Sequence, residues 1–154
     1  MKKIVATFII VSISIGSLHA QNKTIKGRIT SEFFETMAGV SILMNDTIEL
    51  GRTDLNGVFQ IDNIPVSVNK ILFRVVGLEP ANIELADTCN EVEVIMMASF
   101  TYDFKALKKV DRLRMKRFKK LPELHREAFE KGLFKTDKAC YAQAFIPNYK
   151  KRKN

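Results

Sequence analysis

RTDLNGVFQI, residues 52–61, sets two turn-forming oxygen side chains and a glycine ahead of an alternating apolar run. Asp54 and Asn56 carry short side chains that hydrogen-bond nearby backbone, and Gly57 supplies the positive φ that closes a short loop. Beyond the turn, Phe59 and Ile61 point one way and Val58 and Gln60 the other, because successive side chains of a strand face opposite sides. The stretch therefore predicts a hairpin in which a strand ending at Thr53 folds back on one beginning at Val58. Two oxygen side chains two apart and followed by glycine also form a fragment of a calcium loop. VFQIDNIP lacks the further acidic ligands such a loop needs, so Asp54, Asn56 and Gly57 read as a structural turn, with no metal and no cofactor expected.

Outward from the turn the same period of two repeats. Ile25, Gly27 and Ile29 alternate with Lys26, Arg28 and Thr30; Val40, Ile42 and Met44 follow, then Ile71, Phe73 and Val75, then Ile83 and Leu85, then Val92, Val94 and Met96. Alternation marks strands with one face buried. The strands are short, with turn residues between them and no room for helical crossovers of about 10 or more residues. An antiparallel sandwich is expected.

In order along the chain, IKGRIT, AGVSILM, ELGRTDLNGVFQI and ILFRVVGLEPANIEL together resemble the carboxypeptidase-regulatory-like domain. The positions that carry the resemblance are Gly27, Gly39 with Val40, Thr53 with Asp54, Gly57 with Phe59, and Gly77. Leu78 departs from the pattern, standing where an aromatic residue is usual, which puts the packing of that corner in question. The resemblance spans residues 22–98 and implies a mainly β fold, a seven-stranded antiparallel transthyretin-like sandwich. Such domains occur beside carboxypeptidase domains, in front of outer-membrane receptors, and as small free-standing envelope proteins. This chain looks like the last kind.

The ends and the composition bound the rest. Residues 1–20, MKKIVATFIIVSISIGSLHA, carry two lysines, an apolar run from Ile4 to Ile15 and a small residue at Ala20, the layout of a signal peptide. That run of 12 residues is short of the roughly 20 that a membrane span needs. The expected protein is exported, periplasmic or associated with the outer membrane. Residues 21–100 carry 6 basic and 11 acidic side chains, a net of −5, whereas residues 101–154 carry 17 and 6, a net of +11. The basic character belongs to the tail, and the shift marks a boundary near Phe100. Cys89 and Cys140 would meet an oxidising compartment; one disulfide and two separate buried thiols are both open.

A catalytic reading finds little to build on. Export would leave His125 as the one histidine, and it sits in LPELHREAFEKG among Leu121, Leu124, Ala128 and Phe129 at helical spacing. It reads as a boundary histidine on a helix that docks by its apolar side. The two cysteines stand 51 positions apart, unlike zinc ligands, and serine nucleophiles in the strand region lack a histidine partner. No enzyme is expected.

The tail, residues 101–154, reads as a basic helical extension. Over residues 103–120 a helical projection gathers Lys105, Lys108, Lys109, Arg112, Lys116, Lys119 and Lys120 on one arc. Phe104, Ala106, Leu107, Val110, Leu113, Met115 and Phe118 occupy the remainder with three charges, Asp111, Arg114 and Arg117, whose arginines are expected to snorkel. Pro122 and Gly132 bracket a second short helix. The rest reads as an ordered wrap ending in a solvated KKRK run. The cationic arc is either simply solvated above a docked helix or a binding face for anionic lipid, lipopolysaccharide phosphate or an acidic partner. Together these features point to a non-catalytic binding or structural module of the bacterial envelope, its partner an envelope protein or glycan, with tail-driven association with an anionic surface as the alternative. Export makes nucleic acid an unexpected ligand.

Overall fold

The computed structural model describes residues 22–86 and 88–149. Residues 1–20, whose layout is that of a signal peptide, and the terminal KKRK run lie outside the described residues. The chain is mainly β, with two sheets and a helical tail. The strands are β1 (Asn22–Ser31), β2 (Ser41–Met44), β3 (Ile48–Arg52), β4 (Val58–Pro65), β5 (Lys70–Arg74), β6 (Ala81–Leu85), β7 (Glu91–Met96) and β8 (Tyr141–Ala144). Two helices, α1 (Leu107–Phe118) and α2 (Leu121–Glu130), stand between β7 and β8. One sheet has the order β4-β1-β7 and the other β3-β2-β5-β6-β8.

The inward set of the period-two pattern forms the core between the sheets. Ile25, Ile29, Val40, Ile42, Phe59, Ile61, Ile71, Phe73, Ile83, Leu85, Val92, Val94 and Met96 are all buried in one apolar cluster. Phe59 and Phe73 meet across it as a tilted pair with centroids 5.7 Å apart. Burial of such side chains is the main favourable term in the fold.

Three features of the pairing differ from the sequence expectation. First, β3 and β4 are not a hairpin: β3 pairs with β2 in the larger sheet and β4 with β1 in the smaller. The Asp54–Gly57 turn is local all the same. Asp54 N–H donates to the Val58 carbonyl at 2.9 Å, and Asp54 Oδ1 accepts from the N–H groups of Asn56 and Val58 at 2.9 and 2.7 Å. The strands diverge beyond it into opposite layers. Second, β1 and β7 run parallel, from Lys26↔Glu91 to Ser31↔Met96, so the sandwich is not wholly antiparallel. The whole sandwich acts as the crossover, and the close approach needs Gly27, where an added Cβ would overlap the Val92 carbonyl. Third, the wrap contributes a strand: β8 extends the larger sheet by pairing with β6, Leu85↔Tyr141 through Asn82↔Ala144.

The first tail helix is also shorter than the projected 103–120 run, so Lys105, Lys119 and Lys120 of the projected arc fall outside it. α1 starts at Leu107 behind an Ala106 N-cap that makes no side-chain cap bond, and its first turn holds no acid. A 12-residue helix lacking these local supports is marginal alone, so its formation rests on docking. α2 has Pro122 in its first turn, and Gly132 at φ 72° follows its end. Leu121 and Ala128 of α2 pack with Phe134 on Ile95 of β7 and on Met97 just beyond it.

Candidate functional site

The tail is fixed to the sandwich by its inward charges. Arg114 points off α1 toward Glu79, which sits between β5 and β6, and the pair is bidentate: Nε to Oε1 at 3.0 Å and Nη2 to Oε2 at 2.8 Å. Its Nη1 donates to Asp111 Oδ1 at 2.8 Å, and its guanidinium lies 5.1 Å from the Phe145 ring. One turn on, Arg117 pairs with Glu32, donates to the Ala98 carbonyl at 2.8 Å and stacks 4.3 Å over Phe100. The two arginines therefore do not snorkel. They sit inward against acids of the sandwich loops, because a buried guanidinium needs a carboxylate more than it needs an apolar stem contact.

The C-terminal segment closes over this cluster. Asp111 accepts the N–H groups of Asn148 at 3.0 Å and Tyr149 at 2.8 Å. Burial opposes its ionisation, but those two amides and Arg114 hold its carboxyl below the usual carboxylate range. On β7, buried Glu93 accepts from Lys135 N–H at 2.6 Å and from the Thr136 N–H and hydroxyl at 3.1 and 2.9 Å. Tyr141 donates its hydroxyl to the Glu93 carbonyl at 2.8 Å, and burial raises that phenol well above its ordinary pKa, with Glu93 adding to the effect. Cys89, ahead of β7, and Cys140, ahead of β8, are joined in a disulfide with Cα atoms 5.5 Å apart.

With the inward charges paired, the other cations face out. Lys105, Lys108, Lys109, Arg112, Lys116, Lys119 and Lys120 are all exposed, and among the described residues none of them forms an ion pair. Lys105 lies 5.7 Å from the Tyr102 ring. The helix thus presents one face to the acids of the sandwich and the opposite face, cationic, to solvent.

Beneath the α1–α2 junction lies a half-open cavity of about 600 Å³ walled by Ile95, Met115, Phe118 and Leu121, with Lys119 and Lys138 among its polar lining. Its size is within the roughly 300–1,000 Å³ range of small-molecule sites. His125 also lines it. The sequence placed this residue at a boundary, but it is only 3% exposed, packed 4.9 Å from the Phe134 ring, and its Nε2 has no hydrogen-bond partner among the described residues. Burial lowers its pKa against the opposing pull of Glu93, a Thr136 backbone hydrogen bond and Asp137. Two polar features were missed in the sequence: the Arg114–Glu79 and Arg117–Glu32 pairs, whose partners stand 35 and 85 positions apart with no local signature.

Asp54, Asn56 and Gly57 stand in the turn between β3 and β4. Among the described residues, no group of three or more His, Cys, Asp or Glu is placed to hold a metal ion. No described helix is long and apolar enough to cross a membrane. No family model matches this chain, and a search of curated proteins finds no match.

Proposed function

We propose that the protein is an exported, non-catalytic module of the bacterial envelope, a seven-stranded transthyretin-like sandwich of the carboxypeptidase-regulatory-like type extended by its own tail, which meets an anionic surface through the outer face of α1. One observation carries this reading: the inward charges of α1 are matched by Glu79 and Glu32, while the exposed cations of α1, Lys108, Lys109, Arg112 and Lys116, and the flanking Lys105, Lys119 and Lys120 form no ion pair among the described residues. A cluster of exposed positive charges on and beside one short helix concentrates anions through a field that decays over about 8 Å at physiological salt. The Gly27, Gly39, Thr53, Asp54, Gly57 and Phe59 pattern supports the family, and the amino-terminal segment supports export.

The test uses the full mature chain with its disulfide. Replacing Lys105, Lys109, Arg112 and Lys116 with Gln retains helix propensity and removes the middle of the charge. The variant should melt like the wild type and lose co-sedimentation with anionic vesicles at low salt. Equal sedimentation of the two proteins would leave the face merely solvated. Lipopolysaccharide-coated beads in parallel separate a lipid surface from a glycan phosphate. A hydrolase screen whose activity depended on His125 would overturn the non-catalytic part.

A further inference from the structure

Strand register brings four connections to one end of the sandwich. Ser41 lies beside both Arg52 and Arg74, Phe73 beside Ala81, Arg28 beside Val58, and Ser31 beside Met96. The β1–β2, β3–β4 and β5–β6 loops and the exit from β7 to α1 therefore share that end. Hydrogen bonds tie them in series: Gly39 N–H to the Thr53 carbonyl at 3.1 Å, Ala98 N–H to Glu32 at 2.9 Å, and Ser99 N–H to the Gly77 carbonyl at 2.9 Å.

Each of these connections carries a large apolar side chain into solvent. Phe33 is exposed, Leu55 is 87% exposed, Val76 is 98% exposed, and Phe104, held at φ 60° just before α1, is fully exposed. Leu107, the first residue of α1, is also exposed. Apolar residues exposed singly are ordinary, but a set gathered at one end of the molecule marks an interaction surface. Lys105, Lys108 and Lys109 adjoin Phe104, and exposed Arg74 stands at the base of the Val76 loop. Against them this end exposes Glu35 and Asp103, while one oxygen of the Asp54 carboxylate is taken by backbone amides.

We propose that this end is a membrane-docking tip: Leu55, Val76 and Phe104 enter the interfacial layer of an anionic lipid bilayer while the lysines beside Phe104 hold the headgroups. The inference rests on the anionic-surface reading above and names the surface as lipid. Near-complete exposure means that each tip side chain touches almost nothing of its own protein, so they stand as separate points rather than as one flat patch. A protein interface needs a flush, densely packed core, which separate points do not offer. A fluid headgroup boundary closes around each point and accepts adjacent lysines.

The chain contains no tryptophan, so a single introduced one reports its own surroundings. Val76→Trp and Phe104→Trp are placed in the full mature chain, with Val66→Trp at the opposite end, in the β4–β5 loop, as the control. Each is mixed with vesicles of phosphatidylcholine alone or of equal parts phosphatidylcholine and phosphatidylglycerol. The tip reporters should shift to the blue and be quenched by chain-brominated lipid with the anionic vesicles only, and the control should do neither. The double variant Val76→Asp, Phe104→Asp removes no packed contact, should melt like the wild type, and should bind these vesicles about tenfold more weakly or worse. Vesicle binding with unshifted tip reporters overturns the tip and leaves the cationic-face reading standing. A shift at Val66→Trp equal to that at the tip also overturns it. Binding to lipopolysaccharide beads without binding to the vesicles refutes the lipid assignment, and no binding to either surface refutes both proposals.

Discussion

Replacing Arg114 with Leu removes the charge that joins α1 to the sandwich. The magnitude follows from what remains. Arg114 and Glu79 have side chains 8% and 9% exposed, so deleting the guanidinium leaves Glu79 buried with its bidentate partner gone. Truncating one member of a buried pair costs about 3–5 kcal/mol, chiefly the uncompensated charge. Here Arg117 Nη1 already stands 3.7 Å from Glu79 Oε1 and supplies part of the missing field, which brings the expected loss to about 3 kcal/mol. At an m of about 2 kcal/mol/M, that loss lowers a urea midpoint by roughly 1.5 M.

Glu79→Leu alone is the reciprocal perturbation, and Arg114 then keeps Asp111 at 2.8 Å as its one ion-pair partner among the described residues. The double variant Glu79→Leu, Arg114→Leu removes both charges and should recover to within about 1–2 kcal/mol of the wild type, since apolar replacement of a whole buried pair is nearly neutral. The four proteins form a cycle whose coupling energy isolates the pair. All are measured oxidised, so that the disulfide constrains each unfolded chain alike. An Arg114→Leu midpoint equal to the wild type, or a double variant that loses the sum of the singles, refutes the docked α1.

Gly57→Val should cost about 2 kcal/mol or more, because a branched side chain is strained at φ 72° and its Cβ would lie 2.6 Å from the Ile29 carbonyl oxygen; an unchanged melting temperature excludes the turn geometry. The oxidised protein should weigh about 2 Da less than the dithiol. Breaking the Cys89–Cys140 bond, with its separation of 51 residues, should cost about 4 kcal/mol by chain entropy, checked by denaturation of a double serine variant. His125, neutral and buried with a lowered pKa, favours the folded state above its unfolded value of about 6.5 and loses that contribution as pH falls. The melting temperature should therefore drop between pH 7.5 and 5.5 more than in His125→Phe; parallel curves would remove the histidine as the cause.

Local chemistry wrote the strands plainly and their partners hardly at all. Phe59 and Ile61, Val92 and Val94, and the other inward members of the alternation are buried because a sheet with one face on a core imposes a period of two. The turn at Asp54 was equally legible, since its carboxylate satisfies amides two and four residues ahead. Whether the strand after the turn stays beside its predecessor depends on which layer has room, and β4 finds its partner in β1 instead of β3. β8 was illegible for a related reason: YAQA has little strand signature and becomes a strand because β6 offers an unpaired edge. His125 looked like a boundary residue because the helical pattern shows which face docks, and not how deeply Phe134 covers it.

The opposite charges of the two halves have a physical meaning that composition alone left open. Part of the split is complementarity within the molecule: Arg114, Arg117 and Lys135 of the tail pair with Glu79, Glu32 and Glu91 of the sandwich. Such pairs set where a helix docks more than how strongly, because desolvation offsets most of their attraction. A marginal helix such as α1 needs that instruction, since Val110 is the one apolar side chain within it that is buried. Pairing three cations leaves most of the excess unspent, and the docked geometry then forces the remainder outward together. The cationic face is in this sense a consequence of docking: a free tail would spread the same charges around a fluctuating chain, whereas one fixed by Arg114, the disulfide and β8 holds Lys108, Lys109, Arg112 and Lys116 on the face of α1 opposite Arg114. Surface binding should therefore weaken in Arg114→Leu even though that residue never faces the surface, and by more than its single charge accounts for.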